Sequence, residues 1–276
     1  MTPIPFSKMN GSGNDFILID NREGIVGETG LQELVRSVCR RQLSIGADGL
    51  ILVESSRIAD FRWQFFNADG SRAEMCGNGA RCAARFAKLA GIAGKTMSFE
   101  TDAGLIRAEM IGDRVKVGMT EPRNFVPEIQ IPLPDGAVTG GSLNTGVPHV
   151  VIDVGEALET TDIASIGRAI RFHDRFRPAG TNVNFIRRLG AQRIAVRTYE
   201  RGVEGETLAC GTGCVASALI VAHHFDLESP IHTVTRSGGI LTIYFGRTPM
   251  GFSSVFMEGD ARLVCTGEIL SDALMA

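Results

Sequence analysis

Residues 199–224 read YERGVEGETLACGTGCVASALIVAHH. A charged segment leads into the turn Cys210-Gly-Thr-Gly213, and a long run of small and apolar residues follows. This pattern predicts a buried helix that begins directly after Cys210. The first backbone N–H groups of a helix have no partner within it, so they can bind an anion. A cysteine at such a start is expected to have a lowered pKa.

A second stretch repeats this layout. Residues 65–90 read FFNADGSRAEMCGNGARCAARFAKLA, in which Cys76 is followed by Gly-Asn-Gly and an alanine-rich segment. In both stretches an aromatic-polar pair, Phe66-Asn67 or Tyr199-Glu200, precedes the cysteine by about ten positions. We therefore predict an α+β fold of two similar, duplicated domains, each built around one helix that carries a cysteine at its start.

Composition limits the classes of protein to which the chain can belong. It has 276 residues, which fits two domains, and a net charge of −3 without a block of Lys or Arg, so nucleic acid is not an expected partner. We find no apolar run of about 18 residues and no secretory signal pattern, so we expect neither a membrane partner nor export. Six cysteines in a chain of this length indicate reduced thiols in the cytoplasm rather than a disulfide framework.

The spacing of cysteine and histidine argues against a metal site. The chain has no CxxC pair and five histidines. The spacings from Cys76 to Cys82 and from Cys210 to Cys214 fit no common zinc template.

Periodicity predicts the remaining elements. Helices are expected at residues 31–41, 77–90, 163–172 and 211–225, the third capped by Thr161 or Asp162 and the second with one polar edge of Arg81, Arg85 and Lys88. Residues 121–141 hold four of the ten prolines and no periodicity, so we predict an irregular segment there. Turns are expected at residues 238–239, at Gly246 and at residues 259–260. Short strands are expected at residues 4–9, 16–20, 50–54, 61–66, 97–101, 105–110, 114–119, 181–188, 193–199, 231–235, 240–245, 254–257 and 262–266, and one further strand is expected to end at residue 153.

Two thiols at two helix starts are suited to amino-acid racemisation without a cofactor. The reaction needs a base on one face of the α-carbon and an acid on the other, and an ordinary thiol pKa near 8.5 can be lowered toward neutrality at a helix start. The N–H groups of both helices can stabilise the charge that develops on the substrate carboxylate. The alternative is that Cys76 and Cys210 are small buried hydrophobic residues.

Three segments resemble the diaminopimelate epimerase family: residues 9–16 (MNGSGNDF), residues 67–82 with Cys76-Gly-Asn-Gly79, and residues 199–213 with Cys210-Gly-Thr-Gly213. The resemblance implies two domains, residues 1–119 with 262–276 and residues 120–261, each a strand barrel around a central apolar helix. It implies an active site at their interface that interconverts LL- and meso-diaminopimelate, on the route to lysine and cell-wall peptide. It implies no metal and no organic cofactor, and a homodimer.

The resemblance also implies the site residues. Cys76 and Cys210 would be the acid/base pair, and His149 and Glu200 would support the thiols. The groups that would contact the substrate are backbone N–H groups and polar side chains: Gly77, Asn78, Gly211, Thr212, Asn14, Asn67, Asn182, Glu200 and Arg201. Two positions depart from a common family pattern, because Gly49 stands where Gln is usual and Val147 where Asn is usual. Asn144 or Asn184 would then fill the missing contacts.

Three other functions remain open on the sequence. A proline or hydroxyproline racemase of the same fold would keep both cysteines but needs no partner for a distal amino acid group. A cofactor-free isomerase acting on other compounds would typically lose one cysteine. A binding module would need neither thiol.

Overall fold

The computed structural model describes residues 2–134, 136–249 and 251–275. These residues form two compact units, Met1–Val117 with Gly259–Ala276 and Gly118–Glu258. The predicted α+β class is confirmed, since long runs of strands dominate the chain and four α-helices are placed between them. Within the described part of the chain, every helix is too short or too polar to serve as a membrane span.

The described residues form strands, α-helices and short 3-10 helices. Short 3-10 helices occupy Gly155–Glu159, Asp174–Phe176 and Ser271–Leu274. The strands and α-helices are β1 (Ile4–Gly11), β2 (Asn14–Asp20), α1 (Leu31–Cys39), β3 (Gly49–Glu54), β4 (Phe61–Asn67), α2 (Gly77–Leu89), β5 (Thr96–Thr101), β6 (Gly104–Ile111), β7 (Arg114–Gly118), β8 (Arg123–Leu133), β9 (Gly136–Asn144), β10 (Pro148–Asp153), α3 (Ile163–Arg171), β11 (Asn182–Gly190), β12 (Arg193–Glu200), β13 (Gly205–Thr207), α4 (Gly211–His224), β14 (Ile231–Val234), β15 (Ile240–Thr248), β16 (Gly251–Asp260) and β17 (Arg262–Ile269).

The first unit is a sheet in the order β17-β1-β2-β3-β4-β5-β6-β7. Only β2–β3 and β4–β5 are parallel pairs, and α1 and α2 are the crossover helices that parallel neighbours require. Strand β2 is buried on both faces. Its Ile17 and Ile19 share a core cluster with Val35 and Val38 of α1, so α1 covers one face of the sheet. Helix α2 packs against β1, β2, β3 and β6.

The second unit repeats this order. Its strands run β8-β9-β10-β11-β12-β14-β15-β16, with parallel pairs β10–β11 and β12–β14 bridged by α3 and α4, and β13 pairs with the end of β12. Helix α4 packs against seven of these strands, and Gly213–Ala222 is buried at every residue. The predicted duplication, with a cysteine helix at the centre of each half, is therefore confirmed at the level of the fold.

The predicted helices are confirmed to within two residues at each end. Of the two candidate caps for α3, the structure has Asp162, whose Oδ1 accepts a hydrogen bond from the Ser165 N–H at 3.0 Å. The single polar edge of α2 is wrong at one position. Arg81 is fully buried, whereas Lys88 is exposed.

The irregular segment predicted for residues 121–141 is also wrong. Strands β8 and β9 form an antiparallel pair there, although residue 135 lies outside the described residues. The prolines concealed a short alternation, in which Ile129 and Ile131 are buried while Gln130 and Pro132 are exposed. A proline at an exposed strand position interrupts the ladder only locally, and the register of this pair does shift between residues 123 and 129.

Two predicted turns lie inside strands. Gly246 is part of β15, where the register with β16 shifts between Tyr244 and Gly246, and residues 259–260 end β16. A glycine at a bulge gives the same local signal as a glycine in a turn, because both need a backbone without a side chain.

Because of two buried thiols in the first unit, the free energy of unfolding is expected to fall as the pH rises into the alkaline range. Burial raises the pKa of Cys39 and of Cys82 to about 12 in each case. In the unfolded chain these thiols titrate near pH 8.5, so above that value the unfolded state binds fewer protons than the folded state, and stability falls as pH rises. We expect a loss of about 1.4 kcal/mol per thiol and pH unit between about pH 9 and 11, measured by urea unfolding.

The double variant Cys39→Ala, Cys82→Ala is the control for this pH dependence. It will be less stable at every pH because of the cavities it creates, but its alkaline slope should be shallower than that of the wild type. Equal slopes would show that these thiols do not stay protonated in the folded protein.

Candidate active site

Each cysteine of the repeated motif caps its helix in an extended backbone conformation. Cys76 precedes α2 with φ −144° and ψ 119°, and Cys210 precedes α4 with φ −118° and ψ 107°. The Sγ of Cys76 accepts a hydrogen bond from the Gly79 N–H at 3.5 Å. Cys76 is half-buried, whereas Cys210 is 7% exposed. The expected placement of one cysteine at each helix start is confirmed.

The thiol of Cys210 does not have the lowered pKa that its position at a helix start predicted. Burial, and then the negative charge of Glu200, raise the pKa of Cys210. The hydroxyl of Thr212, 3.6 Å from Sγ, and the Gly213 N–H lower it without offsetting the burial. Desolvation therefore outweighs the helix start in this state, and Cys210 is a thiol at neutral pH.

In the first unit a buried arginine organises the start of α2. The Arg81 Nη2 donates to Asn78 Oδ1 at 2.8 Å and to Ser12 Oγ at 2.8 Å. Its Nε donates to the Asp260 carbonyl at 3.1 Å. Asn78 in turn donates from Nδ2 to Asn14 Oδ1 at 2.6 Å. Arg81 thus connects α2, the turn between β1 and β2 that contains Ser12, and the junction of β16 and β17.

The helical periodicity placed Arg81 on a polar edge and did not indicate this network. The signal that was available is its position four residues after Gly77, since Nη1 donates to the Gly77 carbonyl at 3.3 Å. A cation two residues after a Gly-x-Gly turn, followed by the apolar Cys82, Ala83 and Ala84, can return its donors to that turn.

The candidate contact residue Asn14 is held from its other side by an acidic cluster. Asn14 Nδ2 donates to Asp48 Oδ2 at 3.0 Å, and the neighbouring Asp15 forms ion pairs with Lys8 and Arg41. Burial raises the pKa of Asp15, but the hydrogen bonds and charges of Arg41 and Lys8 outweigh it, so the pKa is lowered overall. Asn14 and Asn78 are therefore oriented by ionised groups behind them.

Asn67 and Gly49 face each other across β3 and β4. Asn67 is exposed, and its Nδ2 donates to Ser71 Oγ at 3.0 Å. At Gly49 an added Cβ would lie 2.5 Å from the Phe66 carbonyl oxygen and 2.8 Å from Phe65 Cε2. No side chain fits at position 49 without a shift of this backbone, so Gly49 is a packing requirement here.

We expect Gly49→Ala to destabilise the protein by about 1–3 kcal/mol, because the clash is with backbone that cannot yield locally. Gly27→Ala is the matched control, since nothing lies within 4 Å of a Cβ at Gly27. Urea unfolding compares the two variants. If both unfold at the same urea concentration, the close approach at Gly49 is not a constraint.

In the second unit His149, on β10, is buried, with 1% of its surface exposed. Burial, and then the positive charge of Arg201, lower the pKa of His149 to about 3, so its imidazole is neutral at physiological pH. Nδ1 lies 3.1 Å from Asn184 Nδ2, and no described residue accepts a hydrogen bond from Nε2. A buried polar atom without a partner costs about 1–3 kcal/mol.

Glu200 is the last residue of β12, and Arg201 follows it. Burial raises the pKa of Glu200, although the Thr207 hydroxyl, which donates to Oε2 at 2.8 Å, lowers it. The Arg201 N–H donates to Asn182 Oδ1 at 2.8 Å, and Arg201 Nη1 donates to the Ala179 carbonyl at 3.1 Å. Asn182 Nδ2 donates to the Pro148 carbonyl at 3.1 Å. Asn182 thus fixes the backbone of Arg201 beside β10.

Val147 belongs to the loop before His149, and hydrogen bonds hold this loop in place. Thr145, fully buried, donates from Oγ1 to the Thr212 carbonyl at 3.0 Å, so the loop is anchored to the α4 turn that includes Gly211. The Asn144 Oδ1 accepts the Gly146 N–H at 2.9 Å, so this end of its amide is engaged within the loop. Asn184 is fully buried and hydrogen-bonded to protein through both ends of its amide, so it cannot fill the contact of the Asn that is usual at position 147.

Among the described residues, no cluster of three or more His, Cys, Asp or Glu side chains is placed to hold a metal ion.

The amino-acid sequence matches a protein-family model described as diaminopimelate epimerase over residues 6–125 and 141–264. A relative from Aquifex aeolicus, named diaminopimelate epimerase, is 47% identical over 284 residues, covering 98% of this chain and 99% of the relative. A relative of the same name from Archaeoglobus fulgidus is 42% identical over 277 residues, covering 96% of this chain and 95% of the relative.

Solved structures share the fold at low sequence identity. A Bacillus anthracis phenazine biosynthesis protein of the PhzF family has a TM-score of 0.73 at 17% identity, covering 98% of this chain and 100% of that one. A probable proline racemase from Agrobacterium radiobacter K84 has a TM-score of 0.69 at 16% identity, covering 97% and 93%. At such low sequence identity the solved structures show a shared fold only. The family assignment rests on the relatives with high sequence identity over nearly the whole chain. The chain therefore belongs to the diaminopimelate epimerase family and is an isomerase.

Proposed function

We propose that this protein interconverts LL- and meso-2,6-diaminopimelate by a two-thiol mechanism, without a metal or an organic cofactor. The observation that carries the proposal is the repeated helix start, with Cys76 and Cys210 as N-terminal caps of the two central helices. The relatives named diaminopimelate epimerase support the substrate. The reaction would lie on the route to lysine and cell-wall peptide, in the cytoplasm.

The proposed chemistry uses one thiolate and one thiol. The thiolate removes the α-proton and becomes a thiol, and the electron pair left on the α-carbon delocalises into the carboxylate. The second thiol then donates its proton to the opposite face and becomes the thiolate. Burial raises the pKa of Cys210, which favours its thiol form in this state.

Backbone N–H groups at the two helix starts provide the electrostatic part of catalysis in this proposal. The N–H groups of Gly77, Asn78, Gly211 and Thr212 precede the first intrahelical bonds, which Ala80 and Cys214 make to the carbonyls of Cys76 and Cys210. Donors aimed at the developing enediolate lower the barrier because they need no reorganisation during the reaction.

The distal end of the substrate is assigned to polar side chains. Arg201 can hold a carboxylate bidentately, and Glu200 can pair with an ammonium group. Asn14 and Asn67 are the amide groups proposed to complete this pocket, and Asn182 contributes chiefly by holding Arg201. His149 supplies a neutral N–H donor close to the α4 start.

The test is incubation of the protein with LL-diaminopimelate in D₂O, followed by chiral separation and NMR of the α-carbon. In a two-base reaction the incoming proton comes from a different group than the one that took the first. We therefore expect meso product that carries deuterium and remaining LL-substrate that carries hydrogen at early times. Product that retains the substrate proton would contradict two bases, and absence of product would contradict the substrate.

We also propose a homodimer formed through β17. Within the described residues β17 pairs only with β1, and seven of its eight residues are exposed, including Leu263 and Val264. An exposed apolar edge strand is a template for another strand. Two antiparallel copies centred on Cys265 would place Arg262 opposite Glu268, which pairs opposite charges.

Light scattering after size exclusion should then give about twice the chain mass of 29.6 kDa. Val264→Lys should give the monomer, because it buries an ammonium at the strand edge. Leu105→Lys, at an equally exposed apolar position on β6, is the control and should leave the mass unchanged. A wild-type protein of single-chain mass at micromolar concentration would refute the dimer.

A further inference from the structure

A fully buried asparagine on β11 connects two parts of the proposed site in the second unit. Asn184 Nδ2 donates to the Val150 carbonyl at 2.9 Å, and its Oδ1 accepts the Thr198 hydroxyl proton at 2.9 Å. The same Nδ2 lies 3.1 Å from His149 Nδ1. The sequence suggested Asn184 only as a possible substrate contact, whereas these bonds hold its amide inside the protein.

These contacts determine where His149 carries its proton. A backbone carbonyl can only accept a hydrogen bond, so the atom next to Val150 must be the amide nitrogen of Asn184. That nitrogen can only donate, and His149 Nδ1 must therefore present its lone pair to it. In a neutral imidazole with an unprotonated Nδ1, the proton is on Nε2.

Asn184 also lies directly against the start of the Cys210 helix. A Cβ added at Gly213 would be 2.2 Å from Asn184 Oδ1 and 3.3 Å from Cys210 Sγ. The amide thus occupies the space that a side chain at position 213 would take. Glycine at this position is required for the contact, and the contact in turn limits where the Cys210 turn can move.

We propose that Asn184 is a positioning residue that holds His149 in its Nε2–H tautomer and seats the turn carrying Cys210. The inference rests on the proposed function for the importance of Cys210 and His149, but the tautomer itself follows from the hydrogen bonds. Its consequence is that His149 acts as a neutral hydrogen-bond donor and never as a base. The low pKa of His149 agrees, because the imidazole stays uncharged throughout the physiological range.

The test is ¹⁵N NMR of the full-length protein labelled in its histidines. The five histidines are distinguished by comparison with His149→Gln, which removes one set of signals. Protonated and lone-pair nitrogens of a neutral imidazole resonate far apart, so the tautomer is read directly. We expect His149 to carry its proton on Nε2 and to show no titration between about pH 5.5 and 8. A proton on Nδ1, or titration in this range, overturns the inference.

Asn184→Asp tests the positioning role. A carboxylate can only accept, so it attracts a proton to Nδ1 and changes the tautomer or the charge of His149. We expect kcat to fall by roughly 10²–10⁴, as when a wrong tautomer is imposed on a catalytic imidazole, with KM changed little. A changed tautomer with an unchanged kcat would overturn the positioning role.

The control is Thr233→Val, which removes a fully buried hydroxyl elsewhere in this unit, where it donates to the Leu241 carbonyl at 3.0 Å. It should lower stability while leaving both the tautomer and kcat unchanged. If diaminopimelate is not a substrate, the proposed function fails, but the tautomer measured in the wild type still decides the inference about Asn184.

Discussion

Replacement of either Cys76 or Cys210 by alanine is expected to remove epimerisation almost completely. A positioned general acid or base contributes roughly 10²–10⁴ in rate, and each direction of the reaction needs both groups. Neither variant can be rescued by its remaining thiol, because that thiol reaches one face of the α-carbon only. The measurement is kcat for LL-diaminopimelate followed by chiral separation.

Two other buried cysteines are the controls. Cys39 lies on α1, and Cys214 lies one turn beyond Cys210 on α4. Their alanine variants lose a buried sulfur, so they should unfold at lower urea concentration but keep kcat. If Cys76→Ala or Cys210→Ala retained most of the wild-type kcat, the assignment of that thiol would be abandoned.

The discrimination between substrates is expected to be as large as the loss of rate in the cysteine variants. A pocket built with buried polar groups rejects an analogue that leaves them unpaired, by up to about 10⁴–10⁵ in kcat/KM. L-proline presents an α-carbon and a carboxylate but nothing for Glu200 or Arg201. We therefore expect its kcat/KM to be lower than that of LL-diaminopimelate by about this factor. Comparable turnover of proline would favour a racemase of the proline type.

Arg201→Lys should reproduce much of this loss with the native substrate, because a point charge does not replace the planar guanidinium. The Arg201 side chain is also held by the Ala179 carbonyl, a geometry that lysine does not share. Arg236→Lys is the control, since Arg236 pairs with Glu159 Oε2 at the surface at 3.2 Å. It should leave kcat/KM unchanged.

The central helices could be predicted because their sequences are simple. A helix buried on all sides must be apolar on all sides, and α4 has ten consecutive buried residues, so composition alone identifies it. Strands β8 and β9 could not be predicted in this way. Their pairing depends on partners far along the chain, and prolines at exposed positions obscure the short alternation around Ile129 and Ile131.

Within the candidate site, sequence motifs pointed to the residues proposed to contact the substrate. They did not point to the residues that hold those groups in place. Cys76, Asn78 and Cys210 stand inside repeated motifs. The motifs did not reveal what Arg81 and Asn184 do, because a buried polar residue is recognised only by the groups that surround it. Even the pKa of Cys210 depended on such surroundings, since burial opposed the helix start.

The pairing of β1 with β17 determines the order in which the two units can be completed during synthesis. Ile4 pairs with Ile269, so the first unit needs both ends of the chain, whereas the second unit is one continuous segment. Closing so long a loop is slow, and domains generally fold as units as they leave the ribosome. The second unit can therefore form while β1 still lacks its partner. A chain interrupted before residue 262 would keep that strand edge open to chaperones and proteases.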